Sequence, residues 1–274
     1  MNEAQTPEAP ARRARIRTRT RPGAALVRVL WAPGFVLALW AAQLLVAKLL
    51  AGPARAAAEA GMRGATWFDD GHRARAVAEL FRVEPAVPAA IAMSLLASAI
   101  LAGLFSLVAA PAILTRLDGE RSLGWICGAI GRELPAMLVQ TGYGLVFRAI
   151  CLGLAAIPVS LLGAPGLPLA VLVGAFPVLV LDRARAAVVL DDARPYHPMT
   201  FLRAIGHLAK RPLWWLVGAL LEALKLAVVM GALLLVIRAG PSPAAIWVAR
   251  AAALAGLIVG LWRVSLAVED RRAQ

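Results

Sequence analysis

The groups that could do chemistry in this chain are charges set inside apolar runs. Glu222 and Lys225 lie three residues apart in one run, Arg148 in another, Arg250 in a third and Lys48 near the end of a fourth. A charge at the centre of a membrane helix costs about 2.5–3.5 kcal/mol on insertion scales, so it is normally paired or lines a cavity. The i, i+3 spacing puts Glu222 and Lys225 on one helical face, at a depth from which Arg148 is expected to reach Glu222. Two uses fit. One is a polar pathway, or a site for an anionic substrate, built from Arg148, Glu222 and Lys225 with Gln140, Tyr143 and Gln43 as further polar groups. The other is an interhelical clamp joining Glu222 to Arg148 or Lys225, while Lys48 and Arg250 extend their charges to the outer interface.

A second charged set follows the fourth apolar run: Asp182-Arg183-Ala184-Arg185, then Asp191, Asp192 and Arg194. Asp182 and Arg185 share a helical face. Read functionally, Arg183, Arg185, Arg203, Lys210 and Arg211 would contact anionic lipid headgroups. Read structurally, the set is a solvated, self-paired helix end.

Other chemistry lacks its residues. His72, His197 and His207 fit no zinc spacing, although His72 neighbours Asp69 and Asp70. There is no nucleophile elbow, P-loop or dinucleotide fingerprint. Neither an enzyme nor a cofactor is expected. Cys127 and Cys151 are too few for a disulfide framework and read as small packed residues.

These charges must be positioned by membrane helices. The 274 residues are 61% hydrophobic and only 16% charged, with a mean hydropathy of +0.74. About 20 apolar residues cross a hydrocarbon core of about 30 Å. Six such runs are read, over residues 30–51, 87–114, 136–162, 167–181, 213–237 and 244–266. The fourth is short, with a possible continuation through residues 184–190. The expected fold is all-α: a polytopic bundle of about six transmembrane helices, with amphipathic helices at the interfaces.

The net charge of +13 accompanies no nucleic-acid module, so it is read as topology. Arginines crowd the chain before the first run and after the second, fourth and sixth; Arg263, Arg271 and Arg272 belong to the last group. The termini are therefore expected on the cytoplasmic side of the membrane. The first run is twice the length of a usual signal h-region and reads as an uncleaved anchor. Residues 1–29 read as a disordered basic tail, 30–267 as the membrane domain and 268–274 as a short tail. The outer loop, 52–88, is expected to carry a helix over 72–83, lying on the interface or folding as a lid. Trp31, Trp214, Trp215, Trp247 and Trp262 read as an interfacial belt.

Two inner segments resemble each other. Leu117-Asp118-Gly119-Glu120-Arg121 precedes an amphipathic stretch and Pro135; Leu190-Asp191-Asp192-Ala193-Arg194 precedes another and Pro212. Arg148 lies thirteen residues after Pro135, as Lys225 does after Pro212. Surface helices are expected at about 121–134 and 199–211, each turning into the membrane at its proline. The likeness suggests a parallel repeat.

Residues 182–192, Asp-Arg-Ala-Arg-Ala-Ala-Val-Val-Leu-Asp-Asp, lead into a surface helix and a new span. In this the chain resembles a broad group of uncharacterised six-span bacterial membrane proteins, and is loosely similar to the membrane domain attached to some glycerophosphodiester phosphodiesterases. The resemblance covers roughly spans two to six. The catalytic domain is absent, so no activity carries over; the resemblance implies an all-helical bundle with interfacial helices in a bacterial inner membrane. The expected function is a non-enzymatic accessory, scaffold or lipid-interacting subunit; the alternative is a small transporter or permease component. The bilayer, anionic lipids and a protein partner or second copy are the expected partners.

Overall fold

The computed structural model describes residues 22–62, 86–119, 122–191, 196–239 and 242–272. Among these are eight α-helices and no strand: α1 (Pro22–Leu30), α2 (Pro33–Met62), α3 (Ala86–Leu117), α4 (Leu123–Leu162), α5 (Leu167–Asp191), α6 (Pro198–Ala209), α7 (Pro212–Ala239) and α8 (Pro243–Arg272). Five of them open on proline. Proline is pre-set for the first helical turn, where its missing N–H costs nothing. The chain is thus punctuated by the residue that starts helices well and continues them badly.

Five helices are long and apolar enough to cross a membrane: α3, α4, α5 with the 3₁₀ turn before it, α7 and α8. α1 and the first part of α2 form a sixth candidate, a pair bent by 75°. Large apolar side chains such as Leu145, Leu161, Leu220 and Leu234 point outward and are more than half exposed. In water such a surface would drive aggregation; against lipid tails it is the matched face. The protein is a multi-pass helical membrane bundle.

α5 stands at the centre. It packs against α3, α4, α6, α7 and α8. Every residue from Asp182 to Val188 is buried, so this stretch is enclosed around its whole circumference. Ala184, Ala186 and Ala187 have small side chains that let neighbouring helices approach. One apolar cluster joins Ala186 to Val29, Leu114, Leu117, Leu261 and Val268. Another joins Leu179, Val180 and Ala184 to Phe201, Ala204 and Leu208 of α6.

Three expectations are corrected. The basic tail does not extend to residue 29: Pro22–Leu30 is helical, with Ala25 and Val29 buried at 0% and 1% exposure. Its one apolar face packs on α8, closed by a hydrogen bond from Trp262 Nε1 to the Pro22 carbonyl (3.0 Å). The surface helix expected at 121–134 does not turn at Pro135. α4 runs through that proline as one helix of 40 residues, held by Leu134, Ala136 and Met137 packing on Leu107 and Val188. At about 1.5 Å per residue it is about 60 Å long, so part of it stands outside any hydrocarbon layer. The second segment does break, leaving α6 separate from α7: α6 ends at Ala209 with Lys210 as its C-cap, and Arg211 between the two helices is drawn onto Asp270. The two halves of the proposed repeat are therefore built differently. The expected outer helix over 72–83 lies outside the described residues; α2 continues to Met62.

A candidate functional site of buried ion pairs

The charged side chains converge where the C-terminal ends of α3, α5 and α8 meet α1, α6 and the N-terminal half of α7. The C-terminal end of α8 is the hub. Successive helical residues point about 100° apart, so Glu269, Asp270, Arg271 and Arg272 look in four directions. Each finds a partner of its own. Glu269 Oε1 lies 2.6 Å from Arg28 Nη2 on α1. Asp270 meets α5, α6 and the residue before α7. Arg271 Nη1 lies 3.3 Å from Asp191 Oδ2 at the end of α5. Arg272 Nη2 lies 2.7 Å from Asp118 Oδ1 after α3.

Asp270 is 1% exposed and its carboxylate is fully used. Oδ2 accepts from Arg183 Nε (3.1 Å) and is 3.0 Å from His207 Nε2; Oδ1 accepts from Arg211 Nη1 (2.5 Å). His207 lies on the surface helix α6, outside the spans. Burial holds its imidazole below the ordinary value of 6.5; Asp270 pulls the other way, while Arg211 and Arg183 add to the depression. The neutral ring then donates Nε2–H to Asp270.

Two turns back along α8, Arg263 bridges two helices. Its Nε donates to Asp182 Oδ2 on α5 (2.7 Å), and its Nη1 donates to Glu222 Oε2 on α7. Lys225 Nζ lies 3.5 Å from Glu222 Oε1. A single guanidinium therefore ties two carboxylates that would otherwise repel, which its planar fork suits. A cluster of this kind neutralises charge; no nucleophile and base pair forms within it. Among the described residues no three or more His, Cys, Asp or Glu side chains are placed to hold a metal.

No protein-family model, no curated protein and no solved structure matches this chain. The site is therefore read from its own geometry.

The structure brings Glu222 and Lys225 together and gives Glu222 a stronger partner in Arg263. Arg148 is exposed on α4, and Gln43, Lys48 and Arg250 are exposed as well. Gln140 is fully buried in α4. Tyr143 is half-buried, its hydroxyl 3.4 Å from the Tyr196 carbonyl. Asp182, Arg183 and Arg185 are 6%, 3% and 8% exposed; they form the middle of the bundle, in place of the solvated helix end expected. Arg203 and Lys210 are exposed, and Arg211 is half-buried on Asp270.

Arg263, Glu269 and Asp270 are the members that sequence reasoning missed, since basic residues at a span end already serve topology. Glu269-Asp270 was the available signal: an acidic pair at that end has no topological use.

Proposed function

We propose that this protein is a non-enzymatic accessory, scaffold or lipid-interacting subunit of a cell membrane, with both termini cytoplasmic. The observation that carries the reading is the closure of the charged groups on one another: Glu222 and Asp182 on Arg263, and Asp270 on Arg183, His207 and Arg211. A buried charge network holds helices in one arrangement and adds little to stability over an apolar core. Its use here is to fix how α1, α3, α5, α6, α7 and α8 meet. That suits a part that presents a fixed surface to lipid, to a second copy or to a partner protein.

The second reading is a small transporter or permease component with a polar site at Arg148, Glu222 and Lys225. One observation favours it: Lys225 keeps 37% of its side chain exposed.

Cysteine labelling separates the two. In a Cys127→Ala, Cys151→Ala background, single cysteines at Gln140 and Leu221, both buried, are treated in membranes with a small charged thiol reagent. Silence at both is the expected result. Labelling of both would show water among the helices and move transport ahead.

A further inference from the structure

Arg185 differs from the other buried cations. It is 8% exposed, yet its hydrogen bond among the described residues is one: Nη2 to the Thr141 hydroxyl on α4, 2.8 Å. Its Nε is sealed from solvent with no partner. Asp182, one helical turn earlier, is committed to Arg263. Asp182 sits between Arg185 and Arg263, and Glu222 between Arg263 and Lys225, so along this line of contacts three cations share two carboxylates. A buried lysine relieves such an imbalance by losing its proton; a guanidinium does not. Removing one partner from a buried pair leaves a charge that costs about 3–5 kcal/mol, and a neutral hydroxyl recovers only part of that.

We propose that Arg185, with Thr141, binds one singly charged oxyanion of the phosphate class at the α4–α5 contact. The planar fork of Arg185 matches two oxygens of such a group, and the Thr141 hydroxyl, which accepts from Arg185 Nη2 (2.8 Å) and donates to the Met137 carbonyl (2.6 Å), holds the guanidinium in place. Arg185 lies six residues, about 9 Å, from the end of α5 at Asp191. Thr141 is half-buried, and Arg185 itself keeps 8% of its surface exposed. The phosphodiester of an anionic phospholipid and inorganic phosphate share this chemistry. The site goes beyond the scaffold reading, which rests on Asp270 and Arg263 and stands or falls on the labelling above.

The test uses the full chain in nanodiscs of phosphatidylcholine, in chloride buffer of constant ionic strength. Thermal stability is followed while phosphatidylglycerol is added to the bilayer or, separately, while inorganic phosphate is titrated into the buffer. Stabilisation by the lipid alone assigns a headgroup; stabilisation by phosphate assigns a soluble anion. Either response is expected to disappear in Arg185→Gln and to persist in Arg132→Gln, whose side chain is 53% exposed. Arg185→Lys keeps the fold, since a lysine this buried can shed its proton, and is expected to bind about tenfold more weakly, for loss of the fork. The proposal is overturned if neither probe stabilises the wild type beyond chloride, or if Arg185→Lys responds as the wild type does.

Discussion

The Arg183 guanidinium and the Asp270 carboxylate meet 3.1 Å apart with 4% and 2% of their side chains exposed, eighty-seven residues apart in sequence. Two charges this deep are held by mutual neutralisation and by the further donors on Asp270. The consequence for mutation is asymmetric. Asp270→Ala leaves Arg183 buried without its counter-ion and is expected to cost about 3–5 kcal/mol. Arg183→Met with Asp270→Ala should cost less than the two single changes together, by about 1–3 kcal/mol. Equilibrium unfolding in mixed micelles gives all the corners of this cycle; additive losses would mean the pair is uncoupled.

His207 makes the same cluster sensitive to acid. Its folded pKa is depressed, so protons bind the unfolded chain more readily. Stability is then complete above the unfolded value of about 6.5 and declines as pH falls below it toward the folded value. The groups facing the ring are Asp270 on α8, Arg183 on α5 and Arg211 before α7. Between about pH 6.5 and 5, most carboxylates are still ionised. In that window the melting temperature of the wild type should fall, and that of His207→Gln should fall less. Parallel curves would remove His207 from the explanation.

Arg263 is the single cation between Asp182 and Glu222. Arg263→Ala places two buried carboxylates near one another without it, and about 3–5 kcal/mol should be lost. Adding Glu222→Gln removes one of the repelling charges and should restore part of the loss. A double variant no more stable than Arg263→Ala would show that repulsion is not the cause. Detergent-resistant folded fraction is a sufficient readout.

The turn between α4 and α5 depends on a missing side chain. A Cβ added at Gly166 would stand 2.1 Å from the Pro158 carbonyl oxygen, which is backbone and cannot swing aside. Gly166→Ala should therefore cost about 1–3 kcal/mol or more. Gly153, in the C-terminal third of α4, has nothing within 4 Å of the same position. There alanine should stabilise, by about 0.5–1 kcal/mol. Thermal melts of the two variants should move in opposite directions.

Local order in this chain was legible without coordinates. Runs of apolar residues mark the spans, and proline at a helix start marks where α2, α6, α7 and α8 begin, because hydropathy and backbone geometry act over a few residues. The charged residues 182–185 were legible as a cluster but not as a core. A helix carrying Asp, Arg and Arg reads as solvated unless neighbours enclose it on every side, and that enclosure comes from α3, α4, α6, α7 and α8. Likewise the i, i+3 contact of Glu222 with Lys225 was readable from spacing, whereas its bond to Arg263 required α7 and α8 to meet at one register. The sequence by itself determined that this is a helical membrane protein with charges it cannot leave bare in lipid, since the energy of burying a charge depends on composition and depth. Tertiary structure decided which charges neutralise which, and left Arg185 with a hydroxyl for its partner, since pairing depends on helix faces brought together from distant parts of the chain.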